Sequence, residues 1–170
     1  MLDLMRLNFL SVSVKSIDLV VVLSETMSLF GAAHPQARVA WQPAATPTPA
    51  RVLADAMQIQ QVLLNLLQNA LDAQQAADRV QAPIELLLRP QAGAWRITVR
   101  DAGCGLEPEQ FAHMFEPFFT TKPDGLGLGL SLSKGIIESF GGTLSATSND
   151  SGPGLTVCIS LPREEVQGEP

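Results

Sequence analysis

Asp101-Ala102-Gly103-Cys104-Gly105 closes a β-like run, and Gly125-Leu126-Gly127-Leu128-Gly129-Leu130 opens a helical one. Both segments suit a nucleotide. Glycine lets backbone approach a ligand closely, and successive N–H groups at a helix entrance can hold phosphate oxygens. Asp101, delivered by the strand, can accept a hydrogen bond from an exocyclic amine such as that of adenine. The same carboxylate can instead start the glycine loop as an Asx-turn. Between the two glycine segments lies Phe115-Glu116-Pro117-Phe118-Phe119-Thr120-Thr121-Lys122, which reads as a movable cover. Lys122 can meet a terminal phosphate as a mobile point charge, or serve as an exposed loop lysine. Phe115, Phe118 and Phe119 suit packing at the base of that loop.

Upstream, Asn65, Asn69 and Asp72 share one helix. At about 100° per residue they fall within roughly a 60° arc, away from the apolar stripe of Ile59, Val62, Leu63, Leu66, Leu67 and Ala70. An amide oxygen is a neutral, hard ligand suited to Mg²⁺, which keeps waters and substrate phosphates around it. Asn69 and Asn65 can orient such an ion, or they can face solvent and cap neighbouring backbone.

Several elements must hold these residues. A helix is expected from Asp18 to Phe30, against the β-branched run Val20-Val21-Val22. Arg38–Gln42 reads as a strand, the prolines 43, 47 and 49 as a loop, and Arg51–Leu53 as a short strand. Met57–Ala76 is the clearest helix. Ile84–Arg89 and Trp95–Arg100 read as a hairpin turning near Gly93. Pro108–His113 reads as a short helix with proline in its first turn. Ser131–Phe140 reads as a helix stopped by Gly141-Gly142, and Thr143–Thr147 and Leu155–Leu161 as closing strands. Strands in hairpins rather than strict β-α-β alternation predict an α+β fold, with helices on one face of a mixed, mainly antiparallel sheet.

Composition narrows the function. A chain of 170 residues, 46% hydrophobic and 16% charged, fits one globular domain. Its net charge of −6 argues against charge-driven nucleic-acid binding. Cys104 and Cys158 have no metal-ligand spacing and no partners for a disulfide framework, so a reducing cytoplasm is expected. Cys104 reads as a small filler in the glycine loop. Phe9–Leu23 is interrupted by Lys15 and Asp18 and is too short to span a bilayer. His34 and His113 read as solvated or capping residues. Neither a Gly-X-Ser-X-Gly elbow nor a Gly-X₄-Gly-Lys-Ser/Thr loop occurs.

Four segments in one order resemble the ATP-binding catalytic domain of bacterial sensor histidine kinases, within the gyrase–Hsp90–kinase–MutL superfamily. Gln61–Ala70 is similar to the N box, Asp101–Gly105 to the first glycine box, Phe115–Lys122 to the F box and Gly125–Leu130 to the second glycine box. The resemblance covers roughly residues 16–162 and implies a Bergerat-type two-layer α/β sandwich. It implies that Asn69, helped by Asn65, positions Mg²⁺ and phosphates, with Asp72 beside them. Asp101 would read the adenine amine, with Thr156 nearby, and Gly103 and Gly105 would wall the adenine. Thr120, Thr121, Lys122, Gly125, Gly127, Leu128, Gly129 and Leu130 would belong to an ATP lid contacting phosphate. Asp72 together with Phe-Phe-Thr-Thr-Lys looks like the nitrogen-regulation and dicarboxylate-sensing branches.

The expected activity is transfer of the γ-phosphate of ATP·Mg to a histidine on a separate dimerisation domain, with a response regulator downstream. Neither His34 nor His113 has the acceptor setting, so residues 1–15 are expected to be a linker and 163–170 a flexible tail around an isolated catalytic domain. That domain would be cytoplasmic, in a full-length protein that can be membrane-anchored. Hydrolytic members of the superfamily place a glutamate four residues before the metal-binding asparagine. Asn65 stands there in this chain, and an amide is no general base at neutral pH. A serine-directed kinase of the anti-sigma type and a non-catalytic nucleotide-binding module stay open as alternatives.

Overall fold

The computed structural model describes residues 11–43, 49–122, 125 and 127–165. Leu126 of the second glycine segment and Pro47 of the proline loop lie outside them, as do residues 1–10 of the expected linker and 166–170 of the expected tail.

Strand β1 (Lys15–Asp18) leads into helix α1 (Leu19–Ala33). The Asp18 carboxylate accepts from Val20 N at 3.0 Å, and this N-cap overrides the strand preference of the valine run. Strands β2 (Val39–Gln42) and β3 (Arg51–Ala54) precede helix α2 (Ala56–Ala76). Next come β4 (Ile84–Gln91), β5 (Ala94–Arg100), the short α3 (Pro108–Phe111), α4 (Gly129–Ser139), β6 (Thr143–Ser148) and β7 (Leu155–Pro162).

Five strands form one sheet in the order β2-β4-β5-β7-β6, antiparallel except for the β2–β4 pair; β1 and β3 make a separate antiparallel ribbon. Alternation decides the faces. Ile84, Leu86 and Leu88 of β4, Trp95, Ile97 and Val99 of β5, and Val157, Ile159 and Leu161 of β7 are buried. They meet the stripe of α2 (Ile59, Val62, Leu63, Leu66, Leu67, Ala70) and Leu19, Leu23 and Phe30 of α1 in one core. The helices therefore cover one face of the sheet, as the hairpin pattern predicted. Among the described residues no helix is long and apolar enough to cross a membrane.

Contacts with the fold extend to both sides of residues 16–162. Lys15 already pairs with Ala54, and Ser13 N donates to the Asp55 carboxylate at 2.7 Å. The folded unit thus begins before residue 16, because an edge strand too short to show periodicity is held by its partner. At the other end Arg163 N donates to Gly93 O and Glu164 N to Arg51 O, both at 3.0 Å, while the Arg163 guanidinium lies over Trp95. Residues 163 and 164 are anchored rather than frayed.

Asp55 links the entering chain to the helix that carries Asn65, Asn69 and Asp72. Its carboxylate caps α2 through Met57 N and Gln58 N, at 2.9 and 3.2 Å, besides holding Ser13. The Ser13 bond is the largest influence lowering its pKa from 3.8, although burial pulls the other way. A depressed folded pKa means this stabilisation is present above the unfolded value and is lost as pH falls through the folded one. Asp55→Ala is expected to cost about 1–2 kcal/mol and lower Tm by roughly 2–8 °C. Thermal scans at neutral pH check this; an unchanged Tm contradicts it.

Candidate functional site

Asp101 stands just beyond β5 and is only 7% exposed. Its Oδ1 accepts from Gly103 N at 2.9 Å and Leu155 N at 3.2 Å. Among the described residues both bonds fall on the same oxygen, so Oδ2 keeps its lone pairs for a donor. Burial raises the pKa of this carboxyl above 3.8, against the two backbone bonds that lower it. The Asx-turn reading and the ligand reading are thus compatible: one oxygen serves each.

Gly103 follows because the turn is pressed against α2. A Cβ there would lie 2.6 Å from Ala73 Cβ. Ala73 is one helical turn, about 6 Å, beyond Asn69, which places the Asp101 turn and Asn69 on the same stretch of α2. Gly105 comes close to Gly154, whose φ of +113° puts any added Cβ 2.1 Å from Asp101 O. The β6–β7 turn therefore packs on the aspartate's own carbonyl in a way that requires glycine at 154.

Asn69 and Asp72 meet the cover. Lys122 Nζ donates to Asn69 Oδ1 at 2.9 Å and Asp72 Oδ2 at 2.5 Å, while Gln68 Nε2 holds Asp72 Oδ1 at 2.8 Å. Two hard oxygens thus converge on one positive charge. That donor set fits a magnesium ion, with the ammonium marking where the oxygens point. Thr120 Oγ1 accepts from Lys122 N at 3.0 Å and stands where a Cβ on Gly125 would fall; exposed Thr121 lies between. Gly127 takes φ +72° and its carbonyl accepts from Phe118 N at 2.9 Å.

Asn65 lies apart from that cation contact. Its Nδ2 donates to Ser133 Oγ at 3.2 Å, and its Oδ1 sits 2.6 Å from where a Cβ on Gly129 would be. Glycine at 129 therefore lets the start of α4 rest on the Asn65 amide. Leu128 is the N-cap of α4 and supplies no side-chain bond. The first-turn N–H groups of Gly129, Leu130 and Ser131 are the donors that helix geometry leaves unpaired, at the end favoured by anions.

Thr156 approaches Asp101 indirectly. Thr156 is in register with Arg100 and Thr147, and alternation puts it with Cys158 and Ser160 on the sheet face turned away from α2. Its hydroxyl donates to Asn149 Oδ1 at 2.6 Å, and Asn149 Nδ2 donates to Asp101 O at 2.8 Å. Thr156 therefore reaches the site only through another side chain. Leu155 is the β7 residue packed against the core beside the carboxylate.

Asn149, Gln74, Arg79 and Ser133 were not picked out from the sequence. Asn149 lies in the turn between β6 and β7. Gln74 did leave a signal, being a polar residue on the apolar stripe of α2. Of the histidines, His34 is the C-cap of α1 and packs on Phe30, while His113 pairs with Glu116 at 3.0 Å. Cys104 is exposed. Among the described residues no group of three or more His, Cys, Asp or Glu could hold a metal.

Residues 54–165 match the family described as histidine kinase-, DNA gyrase B-, and HSP90-like ATPase. The sensor protein FixL of Bradyrhizobium diazoefficiens is 44% identical over 112 residues, 65% of this chain and 22% of that protein. The C4-dicarboxylate transport sensor protein DctB of Rhizobium meliloti is 40% identical over 111 residues, 65% of this chain and 18% of that protein. The chain thus spans about a fifth of the length of these relatives. Among solved structures, the nucleotide-free catalytic domain of the histidine kinase ThkA superposes with a TM-score of 0.75 at 28% identity. The match covers 89% of this chain and 96% of that one.

Proposed function

This chain belongs to the histidine kinase-, DNA gyrase B-, and HSP90-like ATPase family, and we propose that it is the ATP-binding catalytic unit of a sensor histidine kinase. In this reading residues 16–162 bind ATP·Mg and present the γ-phosphoryl group to a histidine on a separate dimerisation domain. The phosphoryl group then passes to a response regulator. The observation that carries the proposal is the convergence on α2 of two unlike ends: Asp101 with a free acceptor oxygen, and the Asn69–Asp72 oxygens on a cation.

The roles follow from that geometry. Asp101 Oδ2 accepts the adenine amine. Asn69, with Asp72 beside it, would hold magnesium, which when bound neutralises charge between the phosphates. The open N–H groups at Gly129 and Leu130 face phosphate oxygens, and Asn65 seats that helix end. Lys122 is a cation shared between α2 and nucleotide: once the oxygens have another positive partner, its ammonium is free to turn to phosphate. Phosphoryl transfer needs positioning and charge neutralisation more than covalent chemistry from the protein.

Transfer is favoured over hydrolysis because Asn65 bonds Ser133 and carries no basic group that could activate water. His34 packs on Phe30 and His113 pairs with Glu116, and this reading puts the acceptor histidine on another domain.

The test mixes the purified chain with a separately produced acceptor hairpin from a relative and γ-labelled ATP. Label is expected on the hairpin in an acid-labile, base-stable linkage, with little ATP hydrolysed by the chain alone. An acid-stable phosphoserine on a partner would move the protein to the serine-directed class. Tight ATP binding with no transfer to any acceptor would make it a regulatory module.

A further inference from the structure

Gln74 is 1% exposed, on the core-facing stripe of the helix that carries Asn69, where an apolar residue would be expected. A buried amide must be satisfied or it destabilises the fold, and this one is satisfied completely. Its Oε1 accepts from Ala102 N at 3.0 Å, while Nε2 donates to Ala82 O at 2.8 Å and Arg79 O at 3.3 Å. The two Nε2 targets are carbonyls, which fixes the amide's orientation and leaves the oxygen for Ala102.

From the opposite side Arg79 Nη1 donates to Ala102 O at 3.1 Å and Gly103 O at 3.3 Å. The peptide groups immediately after Asp101 are thereby gripped at one N–H and two carbonyls. Gly103 N is also the donor that orients Asp101 Oδ1.

We propose that Gln74, assisted by Arg79, is a positioning residue for base recognition that fixes the Asp101 carboxylate relative to Asn69. The proposal rests on the reading of Asp101 as the adenine acceptor. Five residues of α2, about 7.5 Å of axial rise, separate Gln74 from Asn69. Tying the aspartate turn to the same rigid helix sets the span between the base end and the phosphate end of one ligand. Leu155, the neighbouring strand residue on that side, offers only its backbone N–H to the aspartate. Discrimination of a 6-amino purine from a 6-oxo purine therefore depends on how accurately one carboxylate is held. Glutamate would keep the acceptor but lose both amide donors, and leucine would lose all three bonds.

The experiment measures affinities for ATP and inosine triphosphate in the intact chain and in the variants Gln74→Leu, Gln74→Glu, Arg79→Ala and Asp101→Ala, with Tm for each. The wild type is expected to prefer ATP and Asp101→Ala to lose that preference. Gln74→Leu should lower the ATP-to-ITP ratio by about tenfold. Gln74→Glu, which still accepts from Ala102 N, should recover part of it, and exposed Arg79→Ala should lower it less while folding normally. A general loss of structure would weaken both nucleotides together and leave the ratio alone. The proposal is overturned if the wild type and Asp101→Ala behave as stated but the Gln74 and Arg79 variants keep the wild-type ratio. If the Gln74 variants fail to fold, exposed Arg79→Ala decides. A wild type without preference, or one that Asp101→Ala leaves unchanged, instead overturns the reading of Asp101 itself.

Discussion

Asp101→Ala is expected to weaken ATP binding by roughly 10- to 150-fold, the equivalent of about 1.5–3 kcal/mol for a hydrogen bond to a charged group. The substitution removes the free oxygen that meets the base and strips Gly103 N and Leu155 N of their acceptor. Asp101→Asn separates the two effects. Its amide oxygen can still take both backbone donors, but the second position becomes an N–H₂, which opposes an adenine amine and suits a 6-oxo group. ATP affinity should therefore fall with Asp101→Asn while ITP affinity is retained or gained. Calorimetry with both nucleotides checks this; wild-type ATP affinity in Asp101→Ala contradicts it.

The same residue gives binding a pH dependence. Burial raises its pKa, so the carboxyl gains a proton, and loses its charge, at a higher pH than an ordinary aspartate. ATP affinity should fall on acidification from neutrality towards pH about 4, and Asp101→Ala should flatten that fall. The stability sign is opposite. A raised folded pKa means the native chain holds the proton more tightly than the unfolded chain. The cost of the charged form is thus absent below the unfolded value, grows as pH rises through the window up to the folded pKa, and is complete above it. The pH dependence of stability that comes from this carboxyl should be absent in Asp101→Ala, which also leaves Gly103 N and Leu155 N without their acceptor.

Much of this arrangement could be read from the residues because periodicity and chemistry agreed. On α2 a 3.6-residue apolar stripe and a polar strip coincide, so the helix and its core face were legible. The hairpin that delivers Asp101 was legible from alternation around Gly93. What escaped did so for definable reasons. Strand β1 is four residues long and exists through its pairing with β3, a partner 35 positions away at Ile17–Val52, that no local pattern encodes. The side on which Thr156 stands is set by its register with Arg100, since a strand reverses its side at every residue. Gln74 and Asn149 act through backbone groups from distant segments, 28 and 48 positions away. Side chains that bind backbone leave no signature in the identity of their partners.

The division of labour along α2 predicts unequal asparagines. Asn69→Ala is expected to slow transfer to the acceptor hairpin by about 100-fold or more at saturating ATP, because misplacing the reacting group by an ångström costs that much. Asn69 Oδ1 is one of the two oxygens that converge on the Lys122 cation, and without it only Asp72 remains. Asn65→Ala should cost less. That amide already bonds Ser133 and supports Gly129, so its loss loosens the start of α4 without removing an oxygen from the cation contact. Asn69→Asp gives the sharpest comparison. It restores an oxygen in the same place but adds a negative charge beside the triphosphate, so ATP affinity should fall more at low magnesium than at high. Single-turnover transfer and nucleotide affinity, measured across a magnesium series for the three variants, check the order. A larger loss of transfer in Asn65→Ala than in Asn69→Ala would reverse the assignment and put the phosphate end at α4 rather than at the Asn69–Asp72 pair.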